Sequence, residues 1–202
     1  MGKNKDKLSR LIMNAAGTVD YSATYNTAHT THPLYQTVNW GIRFGEIMQA
    51  EGISLEGPIV DIGCGNAIFV KSLVKKGVTV LGVDVANEPY DRKEYPFLCY
   101  DLTQTPWPME GNQFELATSF DVLEHIEECY VDAVITELLR VAKAQVVSIA
   151  LYDDKFFHVT VKNADWWQKK LDAASETPWT LFKTVDKGKD RKVGLWKHGL
   201  DK

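Results

Sequence analysis

Hydrophobic and polar positions change period several times along this chain, and each change marks an element. Between residues 58 and 151, short apolar runs rich in Val, Ile and aromatic residues alternate with segments of helical spacing. The runs at 58–62, 78–83, 97–100, 114–119 and 144–151 have the length and composition of buried strands. Helical spacing covers 66–76 and 127–142, and more weakly 87–94. In the second of these, Val131, Val134, Ile135, Leu138, Leu139 and Val141 fall mainly on one stripe, as packing against a sheet requires. Strands separated by helices need right-handed crossovers, so the pattern predicts an α/β fold with a parallel sheet covered on both faces. After residue 151 a loop with Phe156, Phe157 and His158 leads to a helix near 164–174. Two extended runs, about 179–185 and 192–197, then flank a charged turn centred on Gly188, which predicts an antiparallel hairpin.

The N-terminal quarter is harder to read. Residues 1–20 are polar and basic and are expected to be a mobile tail. Residues 21–32 are rich in hydroxyls, aromatics and histidines without a clear period, and suit either a substrate lid or an ordered lead-in. From Pro33 to Glu51, Leu34, Tyr35, Val38, Trp40, Ile42, Phe44 and Ile47 predict one helix, with Pro33 in its first turn and Gly52 at its end. Residues 21–52 are therefore expected to form a lid or helix segment on a single domain spanning 1–202. A chain of 202 residues, 45% hydrophobic, fills one core but not two.

Composition narrows the partners. Net charge is −4 and the sequence pI is near 5.7, so the surface offers no general attraction to a polyphosphate backbone. A small-molecule substrate is expected, rather than nucleic acid. No run approaches the ~18 apolar residues of a membrane helix. The three cysteines, Cys64, Cys99 and Cys129, are dispersed, which fits reduced thiols and a cytoplasmic location.

The candidate chemistry begins at Ile59-Val60-Asp61-Ile62-Gly63-Cys64-Gly65-Asn66-Ala67, a strand that breaks into a glycine turn before a helix. Cys64 reads as a small side chain where backbone and ligand meet, not as a nucleophile. Asp84 ends the next apolar run, about 20 residues on, where an acid suits a ribose diol. A dinucleotide fits poorly. Its fingerprint wants a third glycine where this chain has Ile68, and Asp61 would repel a pyrophosphate. A nucleoside that carries an ammonium and a sulfonium but no phosphate fits better, and S-adenosylmethionine meets that description. Asp101 and Asp121 follow the next two strands, so four acids fall near the carboxyl ends where an open sheet binds ligands.

Asp61-Ile62-Gly63-Cys64-Gly65, Val83-Asp84-Val85, Tyr100-Asp101-Leu102 and Ser119-Phe120-Asp121-Val122-Leu123-Glu124-His125-Ile126 resemble the successive motifs of class I S-adenosylmethionine-dependent methyltransferases. The similarity is to the broad small-molecule group whose fourth strand runs into an Asp-Val-Leu-Glu-His helix start, and it covers roughly residues 55–152. It implies a Rossmann-like, seven-stranded, mostly parallel sheet with a C-terminal antiparallel hairpin and helices on both faces. It also implies that Asp61, Gly63 and Gly65 hold the methionine end of the cofactor, with Cys64 counted among the cofactor-binding residues. Asp84, with Val85 beside it, would take the ribose, Asp101 with Leu102 the adenine edge, and Ser119 and Phe120 would border the methyl group.

Methyl transfer from a sulfonium needs a nucleophile held in line, and a hydroxyl acceptor also needs help losing its proton. His125 and His158 are the candidates for base or substrate contact. Asp121, Glu124, His125 and His158 resemble a Mg²⁺-binding set of small-RNA 2′-O-methyltransferases, but Asp121 stands where that set has Glu. The preferred reading assigns no metal. The expected activity is methylation of a small organic acceptor, on oxygen ahead of nitrogen. The rivals are 2′-O-methylation of an RNA end or nucleotide, and a protein that binds S-adenosylmethionine without catalysis. The lysine-rich stretch 183–192 is expected to be a solvated hairpin tip, and the Trp166–Trp167 pair to be core packing.

Overall fold

The computed structural model describes residues 11–88 and 92–200. Seven strands form one sheet: β1 (Ile59–Ile62), β2 (Val80–Asp84), β3 (Phe97–Cys99), β4 (Phe114–Phe120), β5 (Ala142–Ala150), β6 (Thr180–Asp186) and β7 (Lys192–His198). Their spatial order is β3-β2-β1-β4-β5-β7-β6. Strands β1 to β5 are parallel, and β7 runs antiparallel to both of its neighbours. The order reverses between β1 and β4, the switch point at which open α/β sheets bind ligands. The core strands are buried on both faces, which explains why they read as unbroken apolar runs instead of alternating ones.

Six helices complete the described fold: α1 (Tyr21–Thr31), α2 (Pro33–Thr37), α3 (Trp40–Ala50), α4 (Ile68–Lys75), α5 (Glu128–Val141) and α6 (Ala164–Ala173). The stripe expected on α5 is buried through Val131, Val134, Ile135, Leu138 and Val141. Trp167 of α6 is fully buried, as core packing requires, while Trp166 is half-buried. The weak helix expected at 87–94 falls partly on residues 89–91, outside the described residues. A single 3-10 turn, Arg92–Glu94, follows them.

Three N-terminal expectations change. Residues 1–10 lie outside the described residues, but 11–20 form a turn closed by a Met13–Val19 bridge, with Leu11 and Val19 buried. Residues 21–32, which show no sequence period, contain helix α1. Its N-cap is Asp20, whose carboxylate accepts the Ala23 N–H at 2.9 Å. Its packed face is Tyr21, Thr24, Ala28 and His29, a helical stripe in which Thr24 and His29 are polar. The single helix expected over 33–51 is broken between α2 and α3. Asn66 stabilises the break by donating its side-chain amide to the Val38 carbonyl at 2.8 Å and to the Tyr35 carbonyl at 3.4 Å. The break lets α3 turn onto α4, where Gly41 and Gly45 lie so close to Phe69 that a Cβ at either would come within 3 Å of it.

Candidate active site

The end of β1 sets one wall of the site. Asp61 is buried, and its carboxylate accepts a 2.7 Å hydrogen bond from Thr118 on the neighbouring strand β4, its register partner. Burial pushes its pKa up to about 7; the Thr118 hydrogen bond opposes that shift and the Asp84 carboxylate adds to it. The chain then turns through Gly63 (φ +73°), Gly65 (φ +53°) and Ala67 (φ +57°). Both Gly63 and Cys64 donate their N–H groups to the Val83 carbonyl, at 2.8 and 3.0 Å.

Asp84, at the end of β2, ties this turn to its own strand. One carboxylate oxygen accepts the Gly65 N–H at 2.8 Å and the other accepts the Ala86 N–H at 2.8 Å. Lone pairs remain on both oxygens for a ligand diol. Cys64 is buried, and its sulfur sits 3.0 Å from where a Cβ on Gly82 would stand. Burial, with Asp84 and Asp61 nearby, raises its thiol pKa well above the usual range, which removes the thiolate a nucleophile would need. Asp101, beyond β3, accepts the backbone N–H and the hydroxyl of Thr103 at 2.9 and 2.8 Å.

These elements open on one cavity of about 500 Å³, within the range of small-molecule sites. Asp61, Gly63, Cys64, Gly65, Asp84, Val85, Asp101, Leu102 and Phe120 all line it, together with His125 and His158. Ser119 does not: it is 1% exposed, and its hydroxyl is buried without a hydrogen-bond partner. Successive strand residues point to opposite faces, so Phe120 reaches the cavity and Ser119 faces away. Three acids at the ends of three adjacent strands suit a cationic nucleoside and disfavour a phosphate, so the residues present fit S-adenosylmethionine.

The far half of the cavity is aromatic, lined by Tyr25 and Tyr35 from the N-terminal segment and Tyr152, Phe156 and Phe157 after β5. His125 and His158 meet there with ring centroids 4.8 Å apart, edge to face. The Nδ1 of His125 lies 3.3 Å from the Phe157 carbonyl, and that of His158 lies 2.7 Å from the Tyr152 carbonyl. A carbonyl at Nδ1 requires an N–H there, which leaves each Nε2 as a lone-pair acceptor. Burial, and then the neighbouring His158, depresses the His125 pKa to about 3, so that ring is neutral.

The structure divides the acidic constellation read from sequence. Glu124 is fully buried: one oxygen accepts the Ala150 N–H at 2.9 Å and the other has no partner. Ligand atoms of Glu124, His125 and His158 lie within 4.8 Å of one another. Asp121 is held elsewhere. It accepts from the Ser148 hydroxyl at 3.0 Å and forms an ion pair with Lys187.

Lys187 is a cavity-lining residue that the sequence places elsewhere. It was expected in a solvated hairpin tip, yet its side chain is 5% exposed and lines the cavity. Its ammonium also stands 4.4 Å from the Trp40 ring centroid, a cation–π contact. Nothing in a Lys-Gly-Lys turn marks which lysine folds inward, because the choice depends on Asp121 and Trp40, far away in sequence.

Comparison with known proteins bears on the fold and the family. Residues 60–149 match the family described as a methyltransferase domain. The ubiquinone biosynthesis O-methyltransferase of Cereibacter sphaeroides is 29% identical over 148 residues, 68% of this chain and 59% of that protein. Its counterpart in Colwellia psychrerythraea is 26% identical over 139 residues, 62% of this chain and 55% of that one. The chain thus spans little more than half the length of these curated relatives. Among solved structures, Burkholderia thailandensis 1,6-didemethyltoxoflavin-N1-methyltransferase, with S-adenosylhomocysteine bound, superposes with a TM-score of 0.67 at 13% identity, over 88% of this chain and 85% of that one. Magnesium protoporphyrin IX methyltransferase from Synechocystis PCC 6803, with S-adenosylmethionine bound, gives 0.59 at 17% identity, over 92% and 98%. The matched span carries the glycine turn, Asp61, Asp84 and Asp101, the fold is one that these methyltransferases share, and together the matches support a class I S-adenosylmethionine-dependent methyltransferase.

Proposed function

We propose that this chain transfers a methyl group from S-adenosylmethionine to a hydroxyl of a small organic acceptor. One observation carries the reading: a single cavity joins a cofactor half, built on Asp61, the glycine turn and Asp84, to an aromatic half with two imidazole Nε2 atoms free to accept. The relatives named O-methyltransferase support oxygen over nitrogen. When bound, the cofactor supplies an already activated methyl group, so the protein has to orient the acceptor, exclude water and take up its proton.

In this reading Asp61 would hold the cofactor's ammonium, Asp84 the ribose hydroxyls and Asp101 with Leu102 the adenine edge. Phe120 walls the same cavity. His125, neutral and wedged against Tyr25 and His158, orients the acceptor hydroxyl. His158, whose Nε2 lies 3.9 Å from the Asp154 carboxylate, takes the proton. General-base assistance of this kind is worth about 10²–10⁴-fold in rate. Replacing His158 by Ala is expected to lower kcat about a hundredfold, and replacing His125 to raise KM as well. Wild-type turnover in both variants would remove the histidines from the mechanism.

A metal-assisted reading draws on the convergence of Glu124, His125 and His158. Two imidazoles and one carboxylate suit zinc or iron better than Mg²⁺, and Asp121, spoken for by Lys187, adds no fourth ligand. We therefore assign the pair to proton transfer, for which turnover is expected to survive dialysis against a chelator.

Cofactor uptake has a pH signature. Asp61 is half-protonated near pH 7 in the free protein, and an ammonium beside it favours the ionised form. Binding below that pH must expel a proton, so affinity weakens as pH falls and is flat above about 8. Calorimetry with S-adenosylhomocysteine is expected to give about tenfold weaker binding at pH 6 than at pH 8, and Asp61→Asn to abolish the slope. No uptake at any pH would overturn the reading.

A further inference from the structure

Asp84 holds Gly65 and Ala86 by their N–H groups, each at 2.8 Å. The carbonyls of the same two residues are held by one side chain, Arg92. Its Nη1 donates to the Gly65 carbonyl at 2.9 Å and its Nη2 to the Ala86 carbonyl at 2.6 Å. Nη1 also donates to the Tyr95 hydroxyl at 2.5 Å. The guanidinium carbon stands 4.3 Å from the Phe97 ring centroid, so an aromatic face supports the ion from one side. Gly65 belongs to the turn after β1 and Ala86 to the loop after β2. A carboxylate and a guanidinium thus join the same two loops, one through their donors and the other through their acceptors. Arg92 itself does not line the cavity, so it acts on a ligand only through those loops.

We propose that Arg92 is a positioning residue for the ribose site. It fixes the carbonyls of Gly65 and Ala86, so that Asp84 keeps the orientation in which its remaining lone pairs meet a diol. Asp84 has to reach N–H groups on two separate loops, and a shift of either loop costs it a hydrogen bond or turns it from the cavity. A planar guanidinium presents two NH₂ groups in a fixed fork, which matches two carbonyls at once; the ammonium of a lysine has no such fork. This inference rests on the proposed methyl transfer for its ligand, and it makes a charge outside the cavity part of the cofactor site. A site built to hydrogen-bond a hydroxyl discriminates against an analogue that lacks it, and that discrimination depends on how well the acceptor is held.

The test compares S-adenosylhomocysteine with its 2′-deoxy analogue, by calorimetry, on the wild type and on Arg92→Lys. The substitution keeps the charge and loses the fork. It is expected to weaken S-adenosylhomocysteine binding at least about tenfold and that of the 2′-deoxy compound less, so that the preference for the full diol narrows. Equal weakening of both compounds, the mark of a loop that is merely loosened, or no weakening of either overturns the proposal. Arg92→Gln, planar but with a single amide donor, is the second variant should Arg92→Lys fail to fold. Amide hydrogen exchange on the ligand-free proteins gives a reading that needs no nucleoside. The Gly65 and Ala86 N–H groups are expected to exchange faster in the variant while those of β4 and β5 do not change, and unaltered exchange at the two residues overturns the proposal. Wild-type protein that takes up neither nucleoside overturns the methyl-transfer reading instead, and the exchange result then decides the role of Arg92 in holding Asp84.

Discussion

Replacing Asp84 by Asn is expected to weaken S-adenosylhomocysteine binding at least about a hundredfold and to destabilise the fold by about 2 kcal/mol. Asp84 has two tasks that one carboxylate combines. Its oxygens accept from Gly65 and Ala86, each at 2.8 Å, so that the glycine turn and the loop after β2 are pinned to one group. In an asparagine, one of those oxygens becomes an NH₂ facing a backbone N–H. Two donors then oppose each other at a site only 8% exposed, where water compensates little. In the proposed cofactor site the ribose diol would lose its charged acceptor in the same substitution. Asp101→Asn serves as the contrast: that carboxylate closes a local turn with Thr103 and joins no second element, so its loss is expected to cost affinity with little change in melting temperature. Calorimetry and thermal denaturation of both variants check this. An Asp84→Asn protein with wild-type affinity would separate this acid from the cofactor.

The second large effect is expected at Gly63→Ala. Two penalties coincide there. The backbone is left-handed, at φ +73°, which costs a residue with a Cβ about 1 kcal/mol. The new methyl would also stand 2.3 and 3.0 Å from the two γ-carbons of Val122, at the start of the segment that carries Glu124 and His125. Val122 is itself 9% exposed and branched at Cβ, so it has little room to yield. Overpacking of this kind typically costs about 1–3 kcal/mol, and a combined loss of about 2–4 kcal/mol lowers the melting temperature by roughly 10 °C. Val122→Ala in the same chain removes the clash but not the φ cost, so Gly63→Ala/Val122→Ala is expected to recover part of the loss. A Gly63→Ala protein that melts with the wild type would show that the turn tolerates a Cβ after all.

The close approach of Gly63 to Val122 illustrates what a sequence conveys. Glycines in a turn between a strand and a helix announce that backbone or ligand comes near, and they do so locally. Which side chain comes near is a question about strand order, and Val122 follows β4, not β2. The alternation of elements from 58 to 151 was legible for a related reason. Strands buried on both faces must be apolar at every position, and the helices covering them must carry one apolar stripe, so the tertiary arrangement is written directly into the period. Helix α1 escaped the same logic because its buried face is Tyr21, Thr24, Ala28 and His29. Tyr21 and His29 of that face line the cavity, while Tyr21 and Ala28 also pack into the hydrophobic core.

The fold class, the sheet with its C-terminal hairpin, and the acids at successive strand ends follow from local period and spacing, because each reflects a constraint acting within a few residues. The acceptor half follows only from tertiary structure. Lys187 is turned inward because Asp121 and Trp40 wait for it from distant parts of the chain, and Ser119 is turned away by the pleat of β4. His125 and His158 meet because β4 and β5 are parallel neighbours whose exits lie side by side. Tyr25 reaches them from an element that precedes the sheet altogether. Contacts among groups so far apart in sequence are set by the packing of whole elements, which no local pattern records.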